Sequence, residues 1–332
     1  MRKFLVIQTA SIGDVVLATS VLEELHKNYP NEDIDFVLKK GNESLFTNHP
    51  FIGKLWVWDK EKNKYNNLYK LIKEIRKTDY EYVININRFF SSGLITAFSN
   101  SKQKIGFKKN PLSLLFTKRE EHIIDESNYV HEIERNCKLI SELRIKSKDN
   151  IMPPKLYIPK EVDEMMKEYK NQTYYTVSPA SLWYTKQFPK EGWEIFLKQV
   201  PKDAIIYLLG APSDNTLCQE IKKIVGNPNC IDLSGKLNYL QSTSLMRDAK
   251  MNYTNDSAPL HFCTSVNAPL TAVFCSTVPE YGFTPIGDDV VIVQTDNDLY
   301  CRPCGLHGYK KCPEKHFNCS KTIEISKLVD RL

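Results

Sequence analysis

The chain has 332 residues, 42% of them hydrophobic and 26% charged, with a formal net charge of +5, a composition that excludes a disordered or fibrous protein. That length favours two domains of roughly 150 residues each. Its longest apolar runs, such as AIIYLLGA at 204–211, fall far short of the roughly 20 residues that span a bilayer.

Lys and Arg are interleaved with Asp and Glu nearly everywhere, with no recognisable nucleic-acid module, so nucleic acid is not an expected partner. The opening MRKFLVIQTASIGD holds too few apolar residues for a signal peptide, and a cytoplasmic protein is expected. Nine cysteines are an odd number. Five of them, Cys137, Cys218, Cys230, Cys263 and Cys275, lie in apolar contexts and are read as reduced core residues.

From the amino end, short apolar runs alternate with helical patterns. FLVIQ at 4–8 reads as a strand, 15–29 as a helix, and DIDFVLK at 33–39 and LWVW at 55–58 as strands. A helix follows at 68–77, a strand YVININ at 82–87 and an amphipathic helix HEIERNCKLISEL at 131–143. The stretch 145–160, with three prolines and mixed charge, is the linker candidate, dividing the chain into 1–155 and 156–332.

The alternation then restarts. YYTVSP, AIIYLLGAP, CIDLSG, KMNYTNDS, APLTAVFC and DVVIVQT read as strands, with helical patterns between most of them. Continuous apolar strands joined by helices imply parallel sheets covered on both faces. The expected fold class is therefore α/β, with two Rossmann-like domains facing each other across a cleft that holds the site. Neither G-x-G-x-x-G after the first strand nor G-x-x-x-x-G-K-S/T is present, which argues against a dinucleotide dehydrogenase and a P-loop enzyme.

Four segments carry the candidate chemistry. At the first strand's exit, Asp14 follows Ser11, Ile12 and Gly13, at the edge where open α/β sheets put their ligands. Ser11 or Asp14 also suits a helix N-cap, and a helix start would keep the carboxylate ionised. In SPASLWYTKQFPKEGW, 178–193, Ser178, Ser181, Thr185 and Lys186 offer hydroxyls and one cation, the groups that suit a departing diphosphate; a solvated loop is the plainer reading. In YTNDSAPLHF, 253–262, Asp256 precedes a helix start at Ser257, Ala258, Pro259 and Leu260 whose backbone N–H groups suit an anion, while Asp256 also reads as a cap. His261 reads more simply as a hydrogen-bonded helix histidine than as a ligand contact.

The fourth segment, CRPCGLHGYKKCPEKHFNC, spaces Cys301, Cys304, Cys312 and Cys319 as C-x2-C-x7-C-x6-C, with His307 and His316 among them. A structural zinc or iron–sulfur site is chemically open at these residues, and so is a reduced or partly disulfide-bonded loop.

Together the three cleft motifs resemble glycosyltransferase family 9, the lipopolysaccharide heptosyltransferase family, over nearly the whole chain. SIGDVVLATSVL, SPASLWYTKQFPKEGW, LSGKLNYLQ and NDSAPLH carry the likeness, supported by HEIERNCKLISEL and FCSTVPEYGFTPIG. Ser20 stands where proline is usual, Phe188 where tryptophan is common, and Ala258 and Cys275 where glycine is. The methyl group of Ala258 narrows backbone approach to a diphosphate.

The resemblance implies a GT-B fold, inversion at the anomeric carbon and no catalytic metal or other required cofactor. It assigns Asp14 as general base toward an acceptor sugar hydroxyl. Lys186, with Thr185 and the helix start at Ser257, would stabilise the departing diphosphate, and Asp256 would contact the donor near its sugar or phosphates. The donor implied is a nucleotide sugar, ADP-heptose, and the acceptor a lipid A–core glycolipid handled by the first domain.

On the acceptor side stand Ser11, Gly13, Arg88 and Lys108, with Lys102, Lys104 and Lys109 nearby. A solvated basic surface over a core containing Phe89 and Phe90 is the alternative there. A lipid-linked acceptor would imply transient contact with the inner membrane. Another nucleotide sugar in surface polysaccharide synthesis, or a non-catalytic nucleotide-sugar-binding protein, are the rival functions.

Overall fold

The computed structural model describes residues 2–144 and 151–332; residues 145–150 of the expected linker lie outside the described residues. The chain forms two compact units, Met1–Tyr157 and Ile158–Leu332.

In the first unit β1 (Lys3–Ile7) runs into α1 (Ile12–Asn28), followed by β2 (Asp33–Lys39), β3 (Ile52–Trp58), α2 (Lys64–Ile75), β4 (Tyr80–Asn85), α3 (Phe90–Phe98), β5 (Ser101–Phe107), β6 (Lys118–Glu120) and α4 (Glu132–Lys138). The strands pair parallel throughout in the order β3-β2-β1-β4-β5-β6. Phe4, Leu5, Val6 and Ile7 are fully buried, as expected of a central parallel strand covered on both faces.

The second unit opens with α5 (Lys160–Met165) and β7 (Tyr174–Ser178), then α6 (Lys190–Leu197), β8 (Ile205–Leu208), α7 (Asn215–Val225), β9 (Cys230–Asp232), α8 (Tyr239–Asp248), β10 (Met251–Asn255), α9 (Ala258–Ser265), β11 (Leu270–Phe274) and β12 (Val290–Gln294). Its sheet, also parallel, has the order β12-β11-β10-β7-β8-β9. Counted from the first strand of each unit, both sheets follow the Rossmann order 3-2-1-4-5-6. Each therefore has a switch point, between β1 and β4 in the first unit and between β7 and β10 in the second, where the carboxyl strand ends leave room for a ligand.

Local chemistry sets the ends of the helices. Gly226 closes α7 in the left-handed region at φ 64°. Asn238 and Gln241 exchange 2.9 Å bonds in a capping box at the start of α8. The five scattered cysteines are buried and free, and none of the nine forms a disulfide.

Five elements depart from the expected pattern. Helix α1 begins at Ile12, not at 15, because Ser11 takes the extended N-cap conformation at φ −68°, ψ 165°. The helix expected over 131–143 ends at Lys138 and resumes only as a 3-10 turn at Ser141–Leu143. Helix α3 and strand β5 fall in the stretch that reads only as a basic segment, 87–110, and β6 follows it where no element is expected. In β5 only the last three residues are buried, so no alternating or continuous apolar run marks it.

The first unit also holds a histidine whose titration should be visible. His49 packs edge-on against Phe51 at 4.6 Å and Tyr157 at 4.8 Å, while His26 stacks on the same Phe51 at 4.0 Å. Burial, then the neighbouring charges of His26 and Lys155, lower the pKa of His49 from 6.5 to about 4. The folded state then refuses a proton that the unfolded chain accepts, so stability is full above pH 6.5 and falls as the pH drops toward 4. The loss is on the order of 3 kcal/mol. His49→Phe should flatten the difference in urea midpoint between pH 6.5 and 4; an unchanged difference would show that other groups carry it.

Candidate active site

In the first unit the chain leaves β1 through Gln8, Thr9 and Ala10. Lys60, just beyond β3, donates from Nζ to the Thr9 carbonyl, and burial lowers its pKa. Asn87, just beyond β4 and buried, donates to Gln8 Oε1 at 3.0 Å and Thr9 Oγ1 at 3.4 Å. These bonds tie the two strand exits of the switch point together.

Asp14 is the third residue of α1. Its carboxylate accepts the Ser11 N–H at 3.1 Å and the Ser11 hydroxyl at 2.5 Å. It is half-buried, next to buried Gly13 and exposed Ser11. Asp14 thus helps cap α1 from inside the helix, and the 17-residue helix behind it favours its ionised form. A carboxylate fixed this way at a ligand-binding strand edge can accept a proton from a bound hydroxyl.

Arg88 follows Asn87 directly and is half-buried. Lys108, beyond β5 on the same sheet edge, instead pairs with Glu121 at 2.7 Å. Lys102 pairs with Glu81, and Lys104 donates to the Ala97 carbonyl. Phe89 and Phe90 are about half exposed, which corrects their placement in a core.

In the second unit Asn255, at the end of β10, holds both ends of the loop leaving β7. Its Nδ2 donates to the Pro179 carbonyl at 2.7 Å, and its Oδ1 accepts the Phe188 N–H at 2.9 Å. The loop turns through Tyr184–Lys186 and places Lys186 Nζ 2.7 Å from Asp256 Oδ2. The same carboxylate oxygen accepts the Thr277 hydroxyl, from beyond β11, at 2.5 Å.

Asp256 is therefore not the helix cap. Ser257 is the N-cap of α9, with Asp256 one residue earlier. Pro259 has no N–H and Leu260 donates to the Ser257 carbonyl at 3.1 Å, which leaves the Ser257 and Ala258 amides as the first-turn donors the helix does not use. Leu260 and His261 are buried, as is Ser178 at the end of β7, whereas Ser181 is half-buried.

Thr185 faces away from this cluster. Its hydroxyl oxygen accepts the Tyr309 N–H at 2.7 Å and the Ser276 hydroxyl at 3.0 Å, and its own N–H donates to the Tyr309 carbonyl. Gly308 sits so close that an added Cβ would lie 2.8 Å from Thr185 Oγ1, and its φ of +75° favours glycine. Arg302 donates to the carbonyls of Cys275 and Thr277, each at 2.8 Å. The cysteine-rich segment is thus packed beneath the loops that present Lys186 and Thr277.

Within that segment Cys301, Cys304, Cys312 and Cys319 line one cavity of about 280 Å³ with His316. His307 does not line it. Cys301 Sγ lies 3.9 Å from His316 Nε2, and burial pushes the Cys319 thiol up to about 12. Among the described residues no three His, Cys, Asp or Glu side chains stand close enough to hold a metal ion as they are placed.

The model of glycosyltransferase family 9 (heptosyltransferase) matches residues 68–315. This chain belongs to that family. The match includes Lys186, Asp256 and Thr277 but begins beyond Asp14. Lipopolysaccharide heptosyltransferase 3 of Escherichia coli is 23% identical over 278 residues, 80% of this chain and 81% of that protein.

Among solved structures, the E. coli ADP-heptose lps heptosyltransferase II superposes with a TM-score of 0.80 at 18% identity, over 99% of this chain and 97% of that one. A family 9 glycosyltransferase from Veillonella parvula gives 0.78 at 20% identity, over 88% and 85%. The GT-B fold of these proteins is therefore the fold of this family 9 chain, with two Rossmann-type units. No helix among the described residues is long and apolar enough to cross a membrane.

Sequence reasoning missed Lys60, Asn87, Asn255 and Thr277. Lys60 lies in the charge run DKEKNK, which reads as a solvated loop. The two asparagines lie within stretches read as strands, YVININ and KMNYTNDS, and carry no local signal of their own.

Proposed function

We propose that this glycosyltransferase moves a heptose from ADP-heptose to a lipopolysaccharide inner-core acceptor, with inversion at the anomeric carbon and without a catalytic metal. The observation that carries the reading is the Lys186–Asp256–Thr277 cluster, set beside the first turn of α9 at the switch point of the second unit. A cation and two unused amides there can receive the charge that grows on a leaving diphosphate, with the Thr277 hydroxyl holding Asp256 in place beside them. Asp14 would take the proton from the acceptor hydroxyl as its oxygen attacks the anomeric carbon and the bond to the diphosphate breaks. Arg88 and the Ser11–Gly13 turn would hold the acceptor at that edge.

Calorimetry with ADP-heptose, UDP-sugars and GDP-sugars tests the donor, and transfer to defined truncated core acceptors tests the reaction. Preference for ADP-heptose with heptose incorporation supports the reading. A preference for another sugar nucleotide moves it to a different donor, and tight binding without transfer to any acceptor would mark a non-catalytic binding protein. A single product anomer opposite in configuration to the donor establishes inversion. Undiminished turnover in chelator-treated enzyme supports metal independence.

The four cysteines suit zinc or iron by ligand chemistry, although their sulfurs do not converge in this structure. A metal there would brace the segment beneath Lys186 and Thr277 and take no part in transfer. Elemental analysis checks it: about one zinc or iron per chain, lost in Cys301→Ser/Cys304→Ser, is the expected result if the loop is a metal site.

A further inference from the structure

The interleaving of charge fails in one place. Residues 87–119 carry seven Lys and Arg and no Asp or Glu. Helix α3 lies inside this stretch and leaves part of its apolar surface facing outward. Ser92, Gly93 and Thr96 are buried beside Ile95, and Leu94 packs on the same core, while the outer face carries Phe90, Ala97 and Phe98, with Phe90 and Phe98 each 51% exposed. An apolar stripe at that spacing ordinarily faces a core.

The neighbouring loop extends the patch. Asn110 Nδ2 donates to the Phe89 carbonyl at 3.0 Å, and a Cβ on Gly93 would meet Leu112. The loop is thereby packed on the start of α3, and it carries Leu114, 83% exposed, and Leu115, 57% exposed. Cations flank both ends of the stripe. Lys104 caps the Ala97 carbonyl beside Phe98, and Arg88 and Lys109 stand at the other end. Arg88, Lys104, Lys109 and Arg119 have no carboxylate partner among the described residues.

We infer that this face of the first unit docks on a bilayer carrying anionic headgroups, with Phe90, Phe98, Leu114 and Leu115 entering the interface and the flanking cations meeting the headgroups. A basic rim around exposed aromatic and aliphatic side chains is the chemistry of interfacial membrane binding, and contiguous exposed apolar patches mark interaction surfaces. The start of α3 and the 108–116 loop leave the same sheet edge as Asp14. Docking there would bring a lipid-linked acceptor to the edge that binds it. The inference adds a surface to the proposed reaction and does not depend on its donor or acceptor.

The test is co-sedimentation of the full chain with phosphatidylethanolamine/phosphatidylglycerol vesicles and with phosphatidylcholine vesicles, no sugar substrate being present. Binding to the anionic vesicles, weakened by salt and at least about tenfold weaker to phosphatidylcholine, is expected. Phe90→Ser/Phe98→Ser and, independently, Leu114→Ser/Leu115→Ser should each reduce binding by about tenfold or more. Lys109→Glu should reduce it roughly fivefold or more. All four apolar side chains are exposed, so circular dichroism should show the variants folded. Equal binding to both vesicle types, or variants that bind like the parent, overturns the inference. A chain that dimerises in solution and becomes monomeric in the phenylalanine variant also overturns it, because the face would then be a subunit interface. A protein that transfers no heptose still gives a vesicle result, so the two readings fail separately.

Discussion

Asp14→Asn should lower turnover by about 10²- to 10⁴-fold while leaving unfolding almost unchanged. The asparagine oxygen can still accept the Ser11 N–H that Asp14 accepts at 3.1 Å, so the cap of α1 survives. What disappears is the group able to take a proton. Asp14→Ala removes both functions, and it should add a stability loss of about 1 kcal/mol to the same fall in turnover. Affinity for the nucleotide sugar should stay near that of the parent in both variants, because the donor contacts assigned here lie in the second unit. Denaturant midpoints measured beside kcat and KM separate the possibilities. If Asp14 only caps the helix, the asparagine variant will be fully active and the alanine variant merely less stable. The test weighs heavily because the family match begins at residue 68 and so does not itself reach the SIGD turn.

The fold was legible where both faces of a strand are buried. FLVI, DIDFVLK and YYTVS announce themselves because central parallel strands have no solvent face to carry a polar alternation. The same physics hid β5 and β6: SKQKIGF is polar over its exposed half, and KRE is three residues long. Helix α3 was hidden because small polar residues pack inward beside Ile95 and Leu94 while phenylalanines point outward, so no clean apolar stripe marks it.

At the site, the residue types were legible but not their partners. Asp256 reads as a cap from its place before a helix. Only the fold brings Lys186 and Thr277 to its carboxylate, from loops after two other strands. Thr185 reads as a phosphate ligand beside Lys186, yet residues 276 and 309 engage its hydroxyl. No local pattern signals a contact made 124 residues away along the chain.

The Lys186–Asp256 pair permits a test in which stability and binding part company. Its side chains are 15% and 8% exposed, so removing either partner strands a largely desolvated charge. Lys186→Ala and Asp256→Asn should each destabilise the protein, on the order of 3 kcal/mol for the lysine variant and less for the near-isosteric asparagine. Toward ADP they should diverge. Lys186→Ala removes the cation proposed to meet the diphosphate and should weaken ADP binding by about 10- to 100-fold. Asp256→Asn releases that cation from its carboxylate and removes a negative charge from the proposed diphosphate site, so ADP should bind as tightly as to the parent or tighter. With ADP-heptose the asparagine variant should lose this advantage if Asp256 contacts the donor sugar, and the difference between the two ligands isolates that contact. Calorimetry with both ligands measures it, and ligand-induced shifts in the unfolding midpoint give an independent reading. Parental ADP affinity in Lys186→Ala would remove the lysine from the diphosphate site and leave the pair a structural clamp between the β7 and β10 loops.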